Sequence, residues 1–204
     1  MEPTIEKITV GEWDENTYLI YGQNDLVIVD PGDEPERLIA AIEATGAKPA
    51  AILITHGHFD HIGAVCPLMT HFDIPFYIHS KDKRLLRQAN FYRKMSHSET
   101  FIEIPRADRF LDDDKTLTFG EISLEVLHVP GHTNGSVCFK TGNHLISGDL
   151  IFEYDEGRTD LPESNGEELK TSIEMLVEKY ADGLIYPGHG NNFAVKDIDL
   201  NTVS

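Results

Sequence analysis

No stretch of this chain reaches eighteen consecutive apolar residues, so no segment reads as a transmembrane helix. Basic residues are scarce: 17 Lys and Arg stand against 35 Asp and Glu, a formal net charge of −18. A surface that negative excludes nucleic acid and anionic membranes as partners, because phosphate binding needs a basic surface. Cysteine is nearly absent. Cys66 and Cys138 lie in apolar stretches and favour reduced core thiols over a disulfide. Residues 1–6 lack the basic flank and apolar stretch of a signal peptide, which with the thiols predicts a cytoplasmic protein. There is no linker rich in Gly, Ser or Pro and no low-complexity stretch. The 204 residues are therefore expected to form a single domain, 1–204, large enough for its own core.

The shortage of positive charge is uneven. Residues 81–110 carry eight Lys and Arg and four acids, +4, which leaves −22 on the remainder. Two readings fit: an electropositive lid over a site for an anionic small molecule, or the solvated face of an ordinary helix.

The chain does hold a dense cluster, Thr55-His56-Gly57-His58-Phe59-Asp60-His61. It follows a short apolar run, Ala50–Ile54, that reads as a buried strand, and it precedes Ile62–Met69, which reads as the start of a helix. The end of a buried strand is where open α/β sheets keep their sites. Period-2 geometry sends His56 and His58 the same way, while Asp60 and His61 follow the turn and can face a second point. Imidazole and carboxylate are the ligands that borderline divalent metals such as zinc prefer.

Elsewhere the periodicity predicts strands at 4–10, 16–22, 25–30, 74–78, 115–119, 122–129, 136–140, 144–147 and 184–186. It predicts helices over 34–45, about 80–89 and 167–179, with a polar connector at 90–110. Two mixed sheets with helices outside accommodate that order, a four-layer αββα sandwich of the α/β class. Four further strand ends carry an acid or a histidine: Asp30, His132, Asp149 and His189. The tripeptide Pro-Gly-His occurs twice, at 130–132 and 187–189, a hint of two similar halves.

Together these residues resemble the metallo-β-lactamase fold superfamily, and within it the glyoxalase II-like thioester hydrolases. The signature His-x-His-x-Asp-His, a His in Pro-Gly-His-Thr, an Asp in Gly-Asp and a final Gly-His match at His56, His58, Asp60, His61, His132, Asp149 and His189. The resemblance implies two divalent metal ions, zinc with iron or manganese as alternatives. His56, His58 and His132 would hold one, Asp60, His61 and His189 the other, and Asp149 would bridge both. It implies Asp60 and Asp149 as the catalytic carboxylates and Asp30 as an orienting residue behind the ligands. It implies hydrolysis of a small-molecule thioester, such as a hydroxyacyl-glutathione, by a hydroxide shared between the ions.

Gly157-Arg158-Thr159-Asp160-Leu161-Pro162 resembles a stretch of short bacterial glyoxalase II-like proteins, and places Arg158 toward the substrate. Tyr154 would offer a hydroxyl beside it. The acids Glu153, Asp155 and Glu156 disfavour an anionic thiol such as glutathione, and residues 190–204 leave no room for the helical extension that completes the glutathione pocket of longer glyoxalases. Rival readings of the same motifs are a mononuclear iron persulfide dioxygenase and a lactonase. A true β-lactamase is disfavoured by Asp149. His71, His79, His97, His128 and His144 match no ligand position and read as surface or structural residues.

Overall fold

The computed structural model describes residues 2–98, 100–107, 109–112 and 116–203. Two six-stranded sheets form, each from one half of the chain. The first runs β1 (Thr4–Val10), β2 (Glu15–Tyr21), β3 (Asp25–Val29), β4 (Lys48–Leu53), β5 (Phe76–Ile78) and β6 (Arg109–Phe110) in spatial order. The second runs β7 (Thr116–Phe119), β8 (Ile122–His128), β9 (Val137–Thr141), β10 (His144–Gly148), β11 (Leu184–Pro187) and β12 (Phe193–Ala194). Both are mixed: β3, β4, β5 and β6 pair in parallel and β10 pairs in parallel with β11, while the remaining pairs are antiparallel.

Alternation along each strand builds three apolar layers. On the first sheet Leu19, Leu26, Ile28 and Ile52 point outward. They meet helices α1 (Pro35–Thr45), α2 (Val65–Phe72) and α3 (Lys83–Met95) through Leu38, Ile42, Leu68 and Leu86. Their neighbours Tyr18, Ile20, Val27, Val29 and Leu53 point inward and meet Val137, Phe139, Ile146 and Tyr186 of the second sheet. Cys138, Leu145 and Ile185 face out again, onto Leu169, Ile173 and Leu176 of α4 (Gly166–Lys179). Strands covered on both faces read as continuous apolar runs, which is why Leu26–Val29 and Ala51–Ile54 lack polar alternation. The four-layer sandwich expected from the sequence is what forms. Fully burying each of these Val, Leu or Ile side chains stabilises by roughly 1.5–3 kcal/mol. Both cysteines are free.

The structure departs from the sequence pattern at several points, among them the strand β12, which no pattern signalled. The helix after the metal motif begins only at Val65, behind a 3-10 turn over Phe59–His61. Helix α3 runs to Met95, six residues past its expected end and into the supposed connector. Polar side chains rather than an apolar stripe hold that last stretch. Asn90 exchanges two hydrogen bonds with the main chain of Ile102, at 2.9 and 3.0 Å, and buried Arg93 donates to Thr100. The two-residue strand β6 also lies in the supposed connector. The expected strand at 115–119 is present from Thr116; Lys115 lies outside the described residues. No described helix is long and apolar enough to cross a membrane.

The four segments that carry the candidate ligands, 56–61, His132, Asp149 and His189, follow strands β4, β8, β10 and β11 and meet at one end of the two sheets. The sheets are stitched there by cross-layer bonds: Val137 N–H to the Thr55 carbonyl at 2.9 Å, Asn16 N–H to Gly188 at 2.8 Å, and the Tyr18 hydroxyl to Pro187 at 2.6 Å.

Candidate metal centre

Five histidines converge at that end, and each has one ring nitrogen satisfied from behind. His56 Nδ1 lies 3.1 Å from the Thr55 hydroxyl, and His61 Nδ1 3.1 Å from Asp30 Oδ2. His132 Nδ1 lies 3.0 Å from the Arg158 carbonyl, and His189 Nδ1 2.9 Å from the Trp13 carbonyl. In these four the Nδ1–H donates outward, so Nε2 presents its lone pair inward. His58 is reversed: its Nε2 faces Glu163 at 3.3 Å, and its Nδ1 lies 2.9 Å from His132 Nε2.

The inward atoms form two groups, His56/His58/His132 and Asp60/His61/His189, each with its candidate ligand atoms within 4.8 Å of one another. Asp149 stands between them. Its Oδ2 lies 3.9 Å from His56 Nε2 and 3.6 Å from His132 Nε2, and its Oδ1 lies 3.4 Å from His61 Nε2. Asp60 Oδ2 sits 3.3 Å from His189 Nε2 and 3.9 Å from His61 Nε2. A third group, Asp30/His56/His61, lies behind the centre and is spent on orientation. Asp30 accepts the Thr55 N–H at 2.7 Å and the Thr55 hydroxyl at 2.5 Å besides facing His61. It does this from a left-handed backbone, φ 48°, a conformation Asp tolerates better than most residues.

Do these residues fit metal? Among the described residues four buried side-chain atoms have no hydrogen-bond partner: His56 Nε2, His61 Nε2, Asp149 Oδ1 and Glu15 Oε1. Three of them are inward atoms of the two triads and the bridge. Leaving a buried polar atom unmade costs about 1–3 kcal/mol, so their clustering marks a place where a cation completes the structure. The donor set, imidazole nitrogens and carboxylates, suits zinc, iron or manganese. Gly188 belongs to the same design, since a Cβ there would lie 2.1 Å from Asp149 Oδ1.

Electrostatics separate the two triads. Burial pushes His56 well below its ordinary value, and the charge of His61 adds to it. Burial likewise pushes His132 down to about 4, with His58 adding. For His61 burial acts in the same direction, but Asp149 and Asp60 outweigh it and hold the ring well above the ordinary value. His189 is also raised, because its bond to Asp60 and the charge of Asp149 overcome burial. Burial would raise Asp149 and Asp60. The charge of His61 leads the opposing interactions, and both carboxyls end up lowered. Above the centre opens a cleft of 570 Å³ with His58, Asp60, His132, Asp149 and His189 in its floor and Trp13, Phe59, Tyr92, Met95, Phe152 and Leu161 in its walls.

Residues 10–189 match the Metallo-beta-lactamase superfamily. The chain belongs to that family. It is 37% identical to a probable metallo-hydrolase, YqgX, of Bacillus subtilis over 90% of this chain and 89% of that one. It is 35% identical to the hydroxyacylglutathione hydrolase GloC of Haemophilus influenzae over 92% and 91%. Among solved structures it superposes on the B3 metallo-beta-lactamase BLEG-1 with a TM-score of 0.88, 33% identity and 95% coverage of both chains. On TTHA1623 in a di-iron-bound form the TM-score is 0.83, with 35% identity and coverage of 94% and 95%. The chain is a metal-dependent hydrolase of this superfamily.

Arg158 does line the cleft, but its guanidinium is forked onto Asp160 at 2.7 and 2.8 Å, so its charge is already paired. Tyr154 is 91% exposed and lines a neighbouring surface groove instead of the cleft. The loop after Asp149 turns it outward: Phe152 N–H bonds back to the Asp155 carbonyl at 2.8 Å, which leaves Tyr154 at the tip. The basic segment also differs from the lid reading. Helix α3 walls the cleft through Tyr92, Met95 and its capping residue Ser96, while its exposed cations Lys83, Arg84, Arg87 and Lys94 contribute nothing to the cleft lining. Arg93 is buried, 5.5 Å over the Trp13 ring. Glu99 and Asp108 lie outside the described residues.

Three carboxylates go unflagged by the sequence motifs. Glu163 faces His58 and accepts the Tyr92 hydroxyl at 2.9 Å. Glu15 is buried 3.7 Å from His61 Nδ1, and burial raises its carboxyl well above the ordinary range. Asp82 is buried at the foot of α3. Each stands far in sequence from the ligand it serves, so no local spacing signals it.

Proposed function

We propose that the chain is a dinuclear hydrolase of small-molecule thioesters, glyoxalase II-like, with His56, His58 and His132 on one ion, Asp60, His61 and His189 on the other, and Asp149 shared. The observation that carries it is the orientation of the five rings. Each gives its outer nitrogen to an oxygen acceptor, the inward atoms fall into two groups with Asp149 between them, and His56 Nε2, His61 Nε2 and Asp149 Oδ1 are left without partners. A mononuclear iron dioxygenase needs only one of those sets.

When bound, a pair of divalent ions supplies Lewis acidity toward an acyl carbonyl and brings the pKa of a coordinated water to about 7. The protein's own part is positional. The backing bonds from Thr55, Asp30, Arg158 and Trp13 fix ring tautomers and directions. Asp60 keeps an ionised carboxylate in the cleft floor, where it can take a proton at Oδ2. Trp13, Phe59, Phe152 and Leu161 exclude bulk water from the acyl group. The leaving group is then decided by what the walls do not offer. The Tyr92 hydroxyl is committed to Glu163 and Arg158 to Asp160, so neither is poised as a proton donor to an alkoxide. A thiolate, with a thiol pKa of about 8.5, leaves without one. Relatedness to GloC supports the same substrate class. The net charge of −18 supports a small-molecule partner over nucleic acid or membrane, and the free thiols Cys66 and Cys138 support a reducing cytoplasm.

The test is a panel of thioesters, lactones, β-lactams and persulfides, assayed with protein loaded separately with zinc, iron and manganese, with oxygen uptake followed for the persulfides. Thioesters are expected to give the highest kcat/KM. Faster turnover of a lactone or β-lactam, or oxygen consumption with a persulfide, would overturn the thioesterase reading.

A further inference from the structure

Asp82 directly precedes α3, where a carboxylate ordinarily caps the helix, yet it makes no capping bond. Its side chain turns away from the helix and is 1% exposed. Oδ2 accepts the Gly57 N–H and the Thr133 hydroxyl, both at 2.8 Å, and Oδ1 accepts the Gly135 N–H at 2.8 Å. Gly57 separates His56 from His58; Thr133 and Gly135 follow His132. One buried carboxylate thus joins the two loops that carry all three rings of the first triad. A Cβ on Gly135 would lie 2.5 Å from Asp82 Oδ1, so this approach requires glycine there.

We propose that Asp82 is a positioning residue for the first triad, holding its two histidine loops at metal-binding separation before an ion arrives, and that it serves that triad and not the second. The proposal rests on the reading that both triads hold metal. His61 and His189 are secured independently, by Asp30 and by the Trp13 carbonyl. Apposed loops cost conformational entropy to order, and a charge-assisted bond network that orders them in advance removes that cost from the binding step. Because α3 continues from Asp82 to Tyr92 and Met95, the same clamp ties the substrate-facing wall to the triad.

Asparagine is not a neutral replacement. It supplies one acceptor oxygen and one NH2, so either the Gly135 N–H or the Gly57 and Thr133 donors then face another donor. The experiment isolates each triad in the full chain, His189→Ala leaving the first and His132→Ala the second, and titrates metal-free protein with Co(II), read by its visible spectrum and by chelator competition. Asp82→Asn should weaken Co(II) binding by roughly 10–100-fold in the His189→Ala background and shift the ligand-field bands. It should change binding less than about twofold in the His132→Ala background, where the clamp has no role. Thr133→Val removes a single donor and should weaken the first triad by roughly 3–10-fold, which decides the matter if Asp82→Asn does not fold. Equal losses in both backgrounds, or none in the first, would overturn the proposal. Parent variants His189→Ala and His132→Ala that each still bind as many ions as the unmodified chain would instead overturn the two-triad reading, whatever Asp82 does.

Discussion

A histidine ring must give up its inward proton to take a metal, and the two triads stand differently in that respect. In the first, burial holds His56 well below its ordinary value and pushes His132 down to about 4. Protons therefore compete little with metal for these two rings until the pH falls well below the ordinary histidine range. In the second, His61 and His189 are raised by their carboxylates, so protons compete as soon as the pH falls below those elevated values. As pH is lowered from 8 to about 5, ions bound per chain should drop from two to one, and the survivor should vanish in His132→Ala. Loss of both ions in one step would contradict this. At the rim, Tyr154→Phe should leave kcat/KM within about twofold, since the side chain lies at a loop tip outside the cleft. The proposed ligands were legible because Asp60, His61 and the rest sit at or just past strand ends in a tight motif. Glu163, Glu15 and Asp82 were not, because a carboxylate that meets its histidine loop across 25 to 105 residues leaves no local pattern.

At the scale of elements, α3 shows how composition misleads about direction. Its four exposed cations suggested a lid for anions, but an amphipathic helix presents one face, and here the face toward the cleft carries Tyr92, Met95 and Ser96. Reversing Arg84 and Arg87 to Glu should therefore leave the ratio of KM values for anionic and neutral substrates unchanged within about twofold. Tyr92→Ala should raise KM for both substrates, and kcat should fall as Glu163 loses its partner; a selective rise for anions in the arginine variants would restore the lid. Arg93 belongs to a different class. Buried over Trp13 and bonded to Thr100, it should cost about 1–3 kcal/mol of stability when replaced by Ala, read by denaturant midpoint. The long apolar strands were legible from their runs of Val, Ile and Leu. The last turn of α3 was not, because Asn90 and Arg93 earn their burial through tertiary bonds that periodicity does not register.

For the whole molecule, the two halves of the chain each make one six-stranded sheet, and the metal centre lies where the strand ends of both meet. The duplicated Pro-Gly-His does not mark that arrangement, since both copies follow strands of the second sheet, β8 and β11, and the cross-layer bonds that align the halves, Val137 to Thr55 and Tyr18 to Pro187, have no local signature. Each triad draws side chains from both sheets, and Asp149 is the residue that faces both triads, with Oδ2 3.6 Å from His132 Nε2 and 3.7 Å from His189 Nε2 and Oδ1 3.4 Å from His61 Nε2. Two cations a few ångströms apart repel strongly in a low-dielectric pocket, and a shared anion offsets that repulsion. The decisive measurement is metal stoichiometry together with kcat for unmodified protein, Asp149→Asn and His189→Ala under matched metal supply. The account predicts two ions per chain in unmodified protein, fewer in Asp149→Asn, and a rate loss of at least ~100-fold there, larger than in His189→Ala. Asp149→Asn that keeps two ions and near-normal turnover would contradict it.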